Sequence, residues 1–132
     1  MATKRTKYGN IKVRNSLGVF DSTKEYERYL YLMDLQKHGM ISGLQRQVSY
    51  ELLPNMYTAQ VVVGVRKTKT VQVLEQRKVS YSADFVYYDE KNQELVVEDV
   101  KSSPEMVTPE YKLKKKMMYY FHGIKIKEYY GN

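Results

Sequence analysis

The patterning of apolar and polar residues predicts an α+β domain: a mixed central sheet flanked by two helices. Three observations carry this expectation. Val79–Tyr88 and Gln93–Lys101 read as strands separated by the turn-forming run Asp89-Glu90-Lys91-Asn92. Two other stretches carry helix start and stop signals: Asp21 or Ser22 ahead of a periodic segment that ends at Gly39, and Pro109 opening a segment that Gly123 closes. The chain has 132 residues, the size of one domain with one core.

Taken in order, residues 1–10 read as a flexible basic arm and residues 11–132 as a single domain. Ile11 to Phe20 alternates around Asn15-Ser16-Leu17-Gly18, the pattern of a small hairpin. The first helix is expected to run to about His38, with Tyr26, Leu30 and Met33 on one face. Leu44 to Leu53 alternates and stops at Pro54, as a strand would. Residues 57–78 hold two β-branched runs, Gln60–Val65 and Thr68–Val73, and read as a protruding inserted hairpin. The second helix shows an apolar stripe of Leu113, Met117, Tyr120 and Phe121, and Ile124 to Tyr129 reads as a last strand. The predicted order is helix, three strands, helix, strand.

Composition narrows the chemistry. There is no cysteine, and His38 and His122 are the only histidines. Thiol catalysis, disulfides and cysteine- or multi-histidine-ligated metals are therefore excluded. Any bound metal must rest on carboxylates, which favours a hard ion such as Mg²⁺ or Mn²⁺. The longest apolar run, Val61 to Val65, is far short of a membrane span, so a soluble, cytoplasmic protein is expected. Lys and Arg total 22 against 15 Asp and Glu, a formal net charge of +7. Such a surplus attracts polyanions, nucleic acid first. The cations cluster at residues 1–14, at residues 65–80 (Arg66, Lys67 and Lys69 among them) and in Lys112-Leu113-Lys114-Lys115-Lys116. The acids gather at Asp89-Glu90, Glu94 and Glu98-Asp99, the pattern of a basic groove with an acidic spot inside it.

The acidic spot is the informative segment. A hairpin centred between Lys91 and Asn92 sets Asp84 directly opposite Asp99, with Cβ atoms about 4.5–5.5 Å apart on one face. Strand alternation puts Lys101 on that face and turns Glu98 and Val100 away. Opposed carboxylates repel, and a divalent cation between them removes the penalty. Such an ion activates water and stabilises charge on a phosphate, and a neighbouring lysine orients that water. Asp84, Asp99 and Lys101 thus have the makings of a phosphodiesterase site. The plainer reading of the same residues is an ion-pair network in which Lys101 neutralises two strand aspartates.

Asp84 followed by Asp99-Val100-Lys101 resembles the signature of the PD-(D/E)XK nuclease superfamily, with Ala83 standing where the superfamily's name has proline. The element order over roughly residues 19–129 is similar to that superfamily's restriction-endonuclease-like core. Phe20-Asp21-Ser22-Thr23-Lys24-Glu25, Val97-Glu98-Asp99-Val100-Lys101 and Tyr111-Lys112-Leu113-Lys114 resemble more narrowly a small phage-encoded family similar to Holliday-junction resolvases. The resemblance implies an Mg²⁺- or Mn²⁺-dependent endonuclease acting on branched DNA in recombination or replication, working in the bacterial host cytoplasm.

Each supporting residue has two readings. Glu25 lies three residues after Ser22, the spacing of a helix capping box; the resemblance implies instead a ligand to the metal or its water, with Glu27 in reserve. Glu98 is expected to pair with a basic group under the second helix. Gln45 and Gln47 share a strand face and either reach the attacking water or form the polar side of an edge strand. Lys112, Lys114 and Lys116 are either solvated surface or contacts to DNA phosphate, with Lys114 and Lys116 favoured by the resemblance; Arg66, Lys67 and Lys69 of the hairpin are the other expected contacts. A homodimer is expected, because paired cuts in a symmetric junction need two sites. The competing functions are a non-catalytic DNA-binding accessory protein with the same fold, and a phage inhibitor of a host factor.

Overall fold

The computed structural model describes Ala2–Arg5 and residues 11–131 of the chain. Strands β1 (Ala2–Arg5), β2 (Ile11–Asn15) and β3 (Gly18–Phe20) form a small antiparallel sheet. Where the sequence predicted a free basic arm, Ala2–Arg5 thus pair with Ile11–Arg14; the remainder of that arm, Met1 and residues 6–10, lies outside the described residues. Helix α1 (Thr23–Lys37) follows, and then β4 (Ile41–Leu53). Strands β5 (Met56–Val63) and β6 (Thr68–Gln76) pair, among the described residues, only with each other, as the inserted hairpin. Strands β7 (Val79–Asp89) and β8 (Glu94–Val100), helix α2 (Pro109–His122) and β9 (Lys127–Tyr129) complete the chain. The central sheet has the order β4-β7-β8-β9, antiparallel except for β9, which runs parallel to β8. It is the mixed sheet between two helices that the sequence predicts. Among the described residues no helix is long and apolar enough to cross a membrane.

Both helices begin where their caps place them. The Ser22 hydroxyl accepts from the Glu25 N–H at 3.1 Å, and the Thr108 hydroxyl accepts from the Tyr111 N–H at 3.1 Å with Pro109 next in the chain. Gly123, at φ 67°, takes the left-handed position that ends α2. The buried stripes differ from those expected. On α1, Glu25 and Leu32 are buried with Tyr29 and Leu35 packed inward, while Leu30 is 41% exposed and Met33 lies at the surface. On α2, Tyr111 and Met118 are buried, while Leu113 and Phe121 are exposed and Tyr120 is 83% exposed. The inward face of α1 carries Glu25 and Arg28, so a count of apolar residues alone points to the wrong side of the helix.

The sheet has a core on each face. Tyr81, Ala83, Val86 and Val97 pack with Tyr111 and Met118 of α2; Phe85, Tyr87 and Val96 pack with Leu32 of α1. Register shifts between Ser42 and Gln45 and between Glu51 and Leu53 interrupt the β4–β7 ladder, and the facing of the strands changes between them as well. Arg46 and Phe85 are paired on the α1 side, with the Arg46 guanidinium 3.8 Å from the Phe20 ring, yet Val48 and Ala83, paired two residues along, face α2. Between them Gln47 adopts φ 50°, a left-handed conformation costly for a non-glycine residue in a strand. The irregularity lies in the sheet centre, directly beside Asp84.

Glu98, fully buried, points to the α1 side as alternation requires, but its partner is on the first helix and not under the second. Arg28 forks onto it, with Nε 2.7 Å from Oε2 and Nη2 2.8 Å from Oε1, and the Tyr87 hydroxyl donates to Oε1 at 2.8 Å. The Arg28 guanidinium also lies 4.0 Å from the Tyr129 ring centre, joining α1 to β9. Removing one partner of a buried pair strands the other charge. Arg28→Ala is therefore expected to lower stability by about 3–5 kcal/mol, as read by urea denaturation, with Arg28→Lys recovering only part of the loss because it cannot fork.

Candidate functional site

A cleft of about 410 Å³ opens where the start of α1, the middle of β7, the end of β8 and the start of α2 meet; Glu25, Asp84, Asp99, Lys101, Tyr81 and Lys114 are among its walls. The β7–β8 register is the predicted one: Phe85 pairs with Glu98, Val86 with Val97 and Tyr87 with Val96. One step further Asp84 stands opposite Asp99, and there the backbone ladder ends. The Val100 N–H donates to Asp84 Oδ2 at 2.8 Å, while the Lys101 N–H donates to the Tyr129 carbonyl at 2.8 Å. β8 thus parts from β7 here while its ladder with β9, present from Glu98 onward, continues, and the Asp84 carboxyl occupies the fork.

The remaining groups are tied to this fork. Gln47 Nε2 donates to Asp84 Oδ1 and to Glu25 Oε1, each at 3.0 Å, which is what the Gln47 backbone irregularity achieves. Glu25, 2% exposed, also accepts from the Asp21 N–H at 3.0 Å. Glu25 closes the first turn of α1, as the helix-cap reading expects, and it also lines the cleft, where it faces Asp84 through one amide. Lys101 Nζ lies 3.0 Å from Asp99 Oδ2 and 3.7 Å from the centre of the Tyr111 ring. Lys24 fastens the frame, donating to the carbonyls of Tyr130 (2.7 Å), Ser102 (3.2 Å) and Lys101 (3.4 Å).

The electrostatics follow from burial. Asp84 is pushed up to about 9, first by burial and then by its hydrogen bond with Asp99 and the charges of Asp99 and Glu25. Burial likewise raises the Glu25 carboxyl, and the Tyr81 hydroxyl is raised by burial and by the nearby Asp99 charge. Among the described residues Tyr81 Oη is buried with no hydrogen-bond partner, close to Asp99 in the cleft wall, an arrangement that leaves its O–H free to donate.

Among the described residues no three Asp, Glu or His side chains converge as a complete metal cage. Mg²⁺ is ordinarily held by one or two carboxylates, with waters and substrate phosphates filling the rest of its shell. Asp84 and Asp99 supply such a pair, and both offer carboxylate oxygens. The residues present fit a hard divalent ion, with Glu25 held one amide away.

Of the lysines expected on DNA, Lys114 reaches the cleft, where it pairs with Glu110 at 3.1 Å. Lys112 and Lys116 do not. They line a separate groove of about 740 Å³ between α2 and β9, with Lys115 and Lys125, because positions two apart on a helix lie on nearly opposite faces. Arg66, Lys67 and Lys69 are exposed on the hairpin, away from the cleft walls. The roles of Gln47 as a bridge, Tyr81 as a cleft wall and Lys24 as a fastener were not legible in the sequence. The Gln45/Gln47 alternation in β4 was the one visible signal.

Fold and site together define a class: an α+β domain whose mixed sheet carries a buried acidic cluster and a lysine at its open end. Residues 5–129 match the family described as "Protein of unknown function (DUF1064)", and the chain belongs to that family. Neither a curated protein nor a solved structure matches the chain.

The raised Asp84 has a consequence for stability. Its folded-state value lies above the ordinary 3.8, so the folded protein keeps a proton that the unfolded chain releases. Stability from this group is full below about pH 4 and is lost as pH rises towards about 9. In EDTA, urea denaturation midpoints of the wild type should decline across that window. Asp84→Asn should flatten the decline and be the more stable protein at pH 8; an equally steep fall in the variant would place the shifted proton elsewhere.

Proposed function

We propose that this protein is an Mg²⁺- or Mn²⁺-dependent DNA endonuclease of the PD-(D/E)XK kind, acting on branched recombination or replication intermediates. The observation that carries the reading is the Asp84–Asp99 pair forced together at the fork of β7 and β8, with Lys101 3.0 Å from Asp99. A closely set carboxyl pair, Asp99 buried and Asp84 half-buried, that retains a proton is poorly suited to structure alone and well suited to a cation. The cluster sits in a protein of net charge +7, and a polyanion is the partner that charge favours.

In this reading Asp84 and Asp99 hold the ion, which when bound polarises the scissile phosphate and lowers the pKa of its water. Gln47 keeps Asp84 and Glu25 aligned, so Glu25 accepts a hydrogen bond from the water without competing for the Asp84 position. Lys101, held by Asp99 and the Tyr111 ring, orients the nucleophile and offsets charge that builds on the phosphate oxygens. Lys114, at the cleft mouth, positions the strand by its phosphate. Two such domains, as a homodimer, place two cuts across a junction.

The Asp99–Lys101 ion pair also favours a second reading, a DNA-binding accessory protein in which that pair is structural. Cleavage assays on junction, flap, duplex and single-stranded DNA, with and without Mg²⁺ or Mn²⁺, separate the two. Asp84→Ala and Asp99→Ala should each abolish metal-dependent cleavage while preserving or tightening DNA binding. Lys101→Ala should lower the rate by about 10²–10³ with little change in affinity. Equal cleavage by wild type and both aspartate variants would place any nuclease activity outside this cleft. Millimolar Mg²⁺ should also raise the melting temperature of the wild type, since a ligand of the native state stabilises it, and should leave Asp84→Asn/Asp99→Asn unmoved.

A further inference from the structure

The β5–β6 hairpin is the largest part of the molecule with no place in the cleft chemistry. We infer that it is an arm that seats in the groove of duplex DNA flanking the cleavage site, with its cations on the phosphates at the groove's rims. Its place beside the cut rests on the nuclease reading above; its contact with duplex does not.

Three features support this. Among the described residues the hairpin joins no other sheet, and nearly every residue of both strands is exposed, with Val65 at the tip 104% exposed. A two-stranded hairpin alone in water is marginal, and a partner that covers this one would stabilise it. The hairpin also extends the β4–β7 pair directly: β4 enters it through Pro54-Asn55 and β7 leaves it through Arg77-Lys78, the joint being pinned by the Lys78 N–H on Asn55 Oδ1 at 2.7 Å. The arm is thereby continuous with the two strands that carry Gln47 and Asp84.

Charge decides the kind of partner. Between residues 54 and 79 the cations are Arg66, Lys67 and Lys69 at the tip and Arg77 and Lys78 at the joint, against Glu75 alone; Glu75 accepts from the Thr58 hydroxyl at 2.7 Å. The ladder between tip and joint holds the pairs Tyr57–Leu74, Ala59–Gln72, Val61–Thr70 and Val63–Thr68 on one face, with no charge among them. A neutral ribbon with cations at both ends suits a groove whose floor is base edges and whose rims are phosphates. The major groove, about 12 Å wide, admits a two-stranded ribbon. A second copy of the chain would instead bring a ribbon of the same sign against these cations.

The tip pair Val63–Thr68 lies 16 residues from Gln47 and from Asp84 along the two strands. That span is at most about 50 Å, or about 15 base pairs, and the joint shortens it. The test is hydroxyl-radical footprinting and salt titration in EDTA, on a junction with long duplex arms. Three proteins are compared: wild type, Arg66→Ala/Lys67→Ala/Lys69→Ala, and a shortened arm in which residues 61–70 are replaced by Asn-Gly. Wild type should protect a stretch up to about 15 base pairs to one side of the cut, and the shortened arm should lose the distal part and keep the centre. The triple variant should flatten the slope of log K against log salt by about 2–3. It alters only exposed side chains and so reads the arm even where the shortened protein fails to fold. Unchanged slope and footprint, or a wild type that does not bind duplex, overturns the proposal. So does a shortened arm that turns a dimer into a monomer with the distal footprint intact, which assigns the ribbon to a second copy. Absent cleavage in Mg²⁺ with the footprint as expected would count against the nuclease reading and leave the arm standing.

Discussion

Much of this molecule is arranged around one unfavourable contact, two carboxyl groups brought together where a β-hairpin splits. Asp84 and Asp99 stand opposite each other by register, and at that level the backbone ladder gives way to the Asp84 carboxyl on the Val100 N–H. Asp99 is buried and Asp84 half-buried in the cleft wall, and burial with the neighbouring charge raises the Asp84 carboxyl so that it keeps its proton. Around them Gln47 distorts its own backbone to donate to two carboxyls, Lys101 neutralises Asp99, and Tyr81 leaves a hydroxyl unsatisfied. A left-handed strand residue, an unpaired hydroxyl and a raised carboxyl thus gather in one cleft, and these are the observations on which the proposed function draws.

The buried and half-buried cations explain how the fold tolerates this. Arg28 satisfies Glu98 on the far side of the same strand, so the adjacent acids Glu98 and Asp99 are compensated from opposite faces of the sheet. Arg46 lies over Phe20 and donates to the Val19 carbonyl at 2.6 Å, holding the β2–β3 hairpin against the central sheet 3.8 Å from Glu25. Lys24 ties α1 to the end of β8 and to the C-terminal segment through three carbonyls. These positive groups hold the scaffold together and are taken up by it. Among the described residues, Lys112 and Lys116 of α2 and the hairpin cations Arg66, Lys67 and Lys69 are exposed to a partner.

The second helix shows how chain spacing and spatial grouping part company. Its lysines form one run in the sequence, yet the helix distributes them between two sites. Lys114 faces the carboxyl cleft, while Lys112, Lys115 and Lys116 face the groove shared with β9. In that groove Glu128 accepts from Tyr111, Lys115 and Tyr130, and these bonds hold it down at about 2 against the effect of its partial burial. Part of the lysine charge is therefore spent inside the protein.

The sequence by itself determined whatever depends on local rules. Helix starts at Ser22 and Pro109, the stop at Gly123, the hairpin turn at Asp89–Asn92 and period-two alternation together set the β7–β8 register, and with it the meeting of Asp84, Asp99 and Lys101 on one face. Tertiary structure alone decided which faces of the helices turn inward, because the inward face of α1 carries Glu25 and Arg28, whose partners lie 22 to 70 residues away. It also decided that Gln47 breaks the alternation of β4. A left-handed residue in mid-strand costs energy locally and persists only because two distant carboxyls reward it, and nothing within a few residues of Gln47 records that exchange.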